Sequence, residues 1–117
     1  MPHVVIEEAT DLEVACRGIK PETLRGGDEI LRVLDVYLNR SGRTALVECV
    51  VVEDGRSQPF FVQLSQKDRQ ITVRLLPATD PEKTAGVRRV MALIARQIRE
   101  ASSGSRFGKT NLQEFLP

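Results

Sequence analysis

TALVECVVVEDGRSQPFFVQLSQKDRQITVRLL, residues 44 to 76, decides how this chain folds. Apolar and polar residues alternate along it, the two-residue period of strands with one buried face. Asp54-Gly55 is a two-residue turn of the kind that takes positive φ. With that turn Glu53 faces Arg56, Cys49 faces Phe60, Val47 faces Val62 and Ala45 faces Leu64, so all the apolar partners share one side. A second turn at Lys67-Asp68 would bring Leu64 to Ile71, Val62 to Val73 and Phe60 to Leu75, again on that side. The reverse side carries Leu46, Val50, Val52 and Pro59 beside Glu48, Phe61 and Arg74, with Arg74 expected over the Phe61 ring and within reach of Glu48.

Working outward, the residues upstream at 28 to 40 place Ile30, Leu31, Leu34, Tyr37 and Leu38 on one helical face, with Asp28 and Glu29 at the end that favours acid and Gly42 just past the close. An amphipathic helix is the expectation. The rival is a strand with Asn39 to Gly42 as a hairpin loop, since Val33, Val36 and Tyr37 suit sheets. Gly26-Gly27 reads as a breaker and Pro21 as the opening of a single turn. Nearer the N-terminus, His3 to Glu7 reads as a short strand, and Thr10 and Glu13 have capping-box spacing ahead of a helix to Arg17, with one continuous helix as the alternative.

Downstream, Asp80 and Pro81 open a long helix to Ala101. Val87, Val90, Met91, Ile94 and Ile98 form its apolar stripe, and Arg88, Arg89, Arg96 and Arg99 lie away from it. The resulting expectation is an α+β domain over residues 1–102, an antiparallel three- to four-stranded meander with helices at 28–40 and 81–101 packed on one face. Residues 103–117 then read as a Ser/Gly linker and a short C-terminal segment whose Leu112, Phe115 and Leu116 could dock into a groove.

A chain of 117 residues with 41% hydrophobic and 28% charged residues has enough apolar material for one core. It has no apolar run near the ~20 residues a membrane-spanning helix needs. The N-terminal residues carry acids rather than the bases of a signal peptide, so the expected address is the cytoplasm. Cys16 and Cys49 stand alone and read as buried small hydrophobes, without a zinc or disulfide pattern. The net charge of +1 hides an asymmetry: residues 1–29 hold seven acids and three bases (3 − 7 = −4), and residues 86–109 hold six bases and one acid (6 − 1 = +5).

His3 is the single histidine and lies next to a terminus, which leaves no well-held base for nucleophilic catalysis or a His-based metal site. No enzyme, metal or cofactor is expected. Ser103 to Thr110, SGSRFGKT, is one residue short of the phosphate-loop pattern, but it leaves a helix where a phosphate loop leaves a strand. The order helix, three strands, helix is similar to that of double-stranded-RNA-binding domains. Those domains place bases at the start of the last helix, where this chain has Asp80 and Glu82 with Lys83 alone. Two uses follow: a non-enzymatic module binding itself or another protein through Leu46, Val50, Val52 and Phe61 or through the tail, and, second, a nucleic-acid or phospholigand binder using Arg88, Arg89, Arg96 and Arg99.

Overall fold

A computed structural model describes the whole chain, Met1–Pro117. Seven strands account for 45% of it: β1 (His3–Glu7), β2 (Glu22–Gly26), β3 (Glu29–Leu38), β4 (Thr44–Glu53), β5 (Arg56–Lys67), β6 (Gln70–Leu75) and β7 (Arg106–Thr110). They form one antiparallel sheet in the order β2-β3-β4-β5-β6-β1-β7, curled into a half-barrel around two helices, α1 (Leu12–Arg17) and α2 (Ala85–Ala101). The expected three- to four-stranded meander is therefore too small, and the strands β2, β3, β1 and β7 extend it on both sides.

The first turn of the meander is as read: Asp54 and Gly55 take φ of 52° and 76°, and Val47, Cys49 and Ala45 meet Val62, Phe60 and Leu64. The second turn lies one residue later, with Asp68 at φ 55° and Lys67 opposite Gln70. Val62 therefore meets Leu75 and Leu64 meets Val73. Moving a turn by one residue shifts the register by two, and a two-residue shift keeps every side chain on its own face. Val47, Val62 and Val73 stay fully buried.

Within residues 28–40 the chain forms the strand β3, Glu29–Leu38, not a helix. The strand carries a bulge between Val33 and Asp35. Before it the inward residues are Leu31 and Val33; after it they are Val36 and Leu38, opposite Val47 and Ala45. The residues read as one helical face divide between the two sides of this strand, Leu31 and Leu38 inward and Ile30 and Tyr37 outward, so apolar residues on both sides imitate a helical stripe. Asn39 then closes the hairpin, its Oδ1 accepting from Thr44 N at 3.2 Å and Ser41 Oγ at 3.1 Å, with Gly42 at φ 75°. Gly26-Gly27, read as a helix breaker, is instead half of the β2–β3 turn, where Gly26 pairs with Glu29 and Gly27 has φ 57°. The helix, three strands, helix order therefore does not exist in this chain.

The N-terminal strand and short helix are as read, but the cap is not the Thr10–Glu13 box. The Gln66 side chain on β5 accepts from Leu12 N at 2.9 Å and donates to Thr10 O at 3.0 Å, while Glu13 pairs with Arg17. The long helix begins at Ala85 rather than Pro81, after a single 3-10 turn at Pro77–Thr79. Thr84 Oγ1 accepts from Val87 N, and the Glu53 carboxylate accepts from Thr84 Oγ1 and from Gly86 N at 3.2 Å. A side chain from β4 thus neutralises the positive end of α2. Val87, Val90, Met91, Ile94 and Ile98 on α2 are fully buried against the sheet.

The segment read as linker and tail, 103–117, is part of the domain. β7 pairs with β1, Leu112 is buried, and Phe115 and Leu116 pack against the core. The Ser103–Thr110 near-match to a phosphate loop lies mostly in β7, where Gly108 is covered by the Glu7 side chain. No helix is long and apolar enough to cross a membrane.

At Gly86 the helix α2 passes close to β4. A Cβ built there lies 2.7 Å from Val51 Cγ1 and 2.8 Å from Glu53 Cδ. Helix propensity alone favours alanine by about 1 kcal/mol, whereas overpacking costs about 1–3 kcal/mol. Gly86→Ala is expected to be destabilising on balance, read as a lower urea midpoint with an unchanged slope.

Candidate functional site

Two surfaces hold chemistry that the packing of the core does not use. The first is the outer side of β3, β4 and β5. Leu46, Val50, Val52 and Phe61 all face it, each half-buried by its strand neighbours, and Ile30, Pro59 and half-exposed Tyr37 extend the apolar patch. The four residues expected to share this face do share it. Tyr37 is the residue that sequence reasoning missed, because it was assigned to a helix. Its ring meets Phe61 edge-on, with centroids 6.3 Å apart, and its hydroxyl donates to Glu48 Oε1 at 2.9 Å. Arg74 does not cover Phe61: the shifted register sets it between Gln63 and His3.

Several charges bordering this patch lie outside the chain's ion pairs. Asp35 and Glu48 are direct cross-strand neighbours, an arrangement that repels. Asp35 Oδ1 accepts from Val36 N, and Glu48 accepts from Tyr37, but neither pairs with a base. Arg32, opposite Val50, and Arg74 are likewise exposed on this side and outside every ion pair of the chain. With exposed Arg25 opposite Ile30, two acids and three bases therefore border one apolar patch with their charges unspent.

The arginines of α2 are less available than their spacing suggests. Arg89 bonds Glu29 on β3, and Arg99 lies over the Phe107 ring at 5.3 Å. Arg89 and Arg96 flank a small cleft of about 190 Å³ that also holds Phe115, so the tail crosses the helix on its basic side. Arg88 stands apart, beside Met1 and Asn111.

The second surface is a cavity of about 390 Å³ between α1, the α1–β2 link and the inner side of β3. Cys16, Ile19, Val33, Val36 and Leu38 form its apolar wall. Burial pushes the Cys16 thiol up to about 11, and Cys49, deeper in the core, up to about 12 with the Glu48 charge adding to burial. Both sulfurs are protonated at neutral pH and weak as nucleophiles. Comparison with family models, curated proteins and solved structures yields no match to this chain, so its own residues carry the functional reading.

The Tyr37–Glu48 bond has a direct spectroscopic signature, since the chain holds one tyrosine and no tryptophan. The phenol is held above its ordinary value of 10.0, first by its hydrogen bond to Glu48, then by desolvation and by the charges of Glu48 and Asp35. A raised pKa means the folded chain keeps the phenol proton more tightly, so this bond stabilises at neutral pH and is lost as pH rises through the raised value. Titration of tyrosinate absorbance is expected to give a pKa above that of free tyrosine, and Glu48→Gln is expected to lower it.

Proposed function

We propose that this domain is a non-enzymatic interaction module that pairs with a second copy of itself through the outer side of β3, β4 and β5. The observation that supports it is the set of unspent charges, Asp35 and Glu48 with Arg25, Arg32 and Arg74, around Tyr37, Leu46, Val50, Val52 and Phe61. In a two-fold contact a patch meets itself, so a surface bearing both signs supplies its own counter-ions. The acids that repel each other within one chain gain bases from the other, and the aromatic pair at the centre gains a desolvated partner. A heterologous protein partner would need those five charges matched by residues of its own.

The tail is not proposed as the docking element, because Leu112, Phe115 and Leu116 are already spent on their own core. Binding of nucleic acid by the α2 arginines is the less favoured use. It asks for a cluster of free guanidinium groups, and Arg89 and Arg99 have partners.

Sedimentation equilibrium at micromolar concentration is expected to give twice the 13.1 kDa chain mass. Phe61→Arg adds a bulky charge at the centre of the patch without touching the core, and is expected to weaken association by about tenfold or more while circular dichroism stays unchanged. A wild-type chain that sediments as a monomer overturns the proposal. So does a dimer that Phe61→Arg leaves intact.

A further inference from the structure

The sheet does not close on itself, so it ends in two edge strands, β2 and β7. An edge offers its unpaired N–H and C=O groups to another chain unless something blunts it. β7 is blunted: a bulge between Val4 and Ile6 interrupts its pairing with β1, and the Glu7 side chain lies across Gly108. β2 has no such device. It pairs with β3 in unbroken register from Glu22 to Gly26, it contains no proline, and Thr23, Leu24, Arg25 and Gly26 are all exposed.

The hairpin fixes which backbone groups of β2 are free. The two-residue turn Gly27-Asp28 makes Gly26 and Glu29 a hydrogen-bonded pair, and such pairs alternate along an antiparallel ladder. Leu24 with Leu31 and Glu22 with Val33 are the next ones. The N–H and C=O of Thr23 and Arg25 therefore point away from β3, toward solvent.

A second β2 can meet those groups about a two-fold axis, and its own sequence selects the register. Centred on Thr23, the pairing sets Pro21, which has no N–H, against Arg25. Centred on Arg25, it sets two like charges directly opposite each other. Centred on Leu24, it pairs Thr23 with Arg25 of the other copy on both sides of the axis, and each pair exchanges both of its bonds. Leu24 then meets Leu24 of the other copy. This side chain is 40% exposed and lies on the concave side beside Leu31, Leu93 and Phe115, so its counterpart extends an apolar floor already present. Past the strand ends the same register brings Lys20 opposite Asp28 of the other copy, and both are exposed and outside every ion pair of the chain.

We propose that β2 pairs antiparallel with β2 of a second copy about a two-fold axis at Leu24, so that two half-barrel sheets run on as one. Arg25 contributes its backbone alone, and its side chain stays with the outer side of the sheet. An edge of five residues buries far less than the ~1,200–2,000 Å² of a stable interface, so this contact is the weaker one and adds to the pairing proposed for the outer side.

Disulfide trapping reads the register. The background is Cys16→Ala with Phe61→Arg, which removes the half-buried native thiol and the outer-side contact, while Cys49 stays fully buried. The result therefore stands apart from the fate of the outer-side reading. Leu24→Cys, Thr23→Cys and Arg25→Cys are introduced one at a time, oxidised in air and followed by non-reducing electrophoresis, with circular dichroism confirming the fold. Across the axis the two Leu24 Cα atoms lie about 4.5 Å apart, within disulfide reach. Thr23 and its own counterpart are offset diagonally by about 7–8 Å, as are the two Arg25 residues, which is too far for a bridge. Leu24→Cys is expected to cross-link about tenfold faster than either neighbour, although all three positions are exposed and chance collision would link them alike. Adding Asp28→Lys, which sets two bases opposite each other, is expected to slow the Leu24→Cys link severalfold, and Lys20→Glu on top of it to restore the rate. A Leu24→Cys chain that stays monomeric overturns the proposal. So do equal rates at the three positions, or a rate that Asp28→Lys leaves unchanged.

Discussion

Burial of α2 by the concave side of the sheet is the interaction on which the rest of the structure depends. Val87, Val90, Met91, Ile94 and Ile98 on the helix face Val47, Val62, Val73 and their neighbours, and all of these are excluded from solvent. Apolar burial is worth roughly 25 cal/mol per Å², so a sheet that wraps one helix gains most when it curves around it. The contacts that hold the helix in place are specific where the hydrophobic effect is not. Glu53 from β4 caps its N-terminus, and Gln97 on its last turns donates to Glu22 at 3.1 Å, bringing the edge strand β2 onto it.

A sheet filled on one side leaves its other side to solvent, and this is where the chain departs from the alternation expected of a one-sided antiparallel sheet. The outer positions of β3 to β5 are apolar at Ile30, Leu46, Val50, Val52 and Phe61, and the acids among them sit side by side. Neither choice helps an isolated chain fold. Cross-strand like charges repel, and exposed apolar surface is unfavourable in water. The self-pairing proposed for this surface follows from that local conflict, in the sense that consistent folding signals fail where another requirement acts on the same residues.

The half-barrel also leaves its rim unevenly filled. At α2 the close approach of Gly86 to Val51 shows tight packing, whereas beside α1 the bulge in β3 leaves a cavity floored by core residues. A change of parity within a strand is invisible to any fixed-period pattern, and its structural result is a local break in pairing.

The sequence by itself determined what alternation and turn chemistry can encode over short separations. The hairpin at Asp54-Gly55, the faces of β4, β5 and β6, the buried stripe of α2 and the shared side of Leu46, Val50, Val52 and Phe61 all follow from a period of two or of 3.6 residues. Even the misplaced second turn left those faces correct, because a turn displaced by one residue shifts the register by two. Only the tertiary structure decided that residues 29–38 are a strand, that Arg106–Thr110 returns to pair with β1, that Tyr37 rather than Arg74 meets Phe61, and that Glu53 and Gln66 serve as helix caps. Each of those outcomes rests on contacts between residues remote in the chain or on a bulge. Such contacts form because a distant surface is there to be covered, and nothing in the local spacing records that surface.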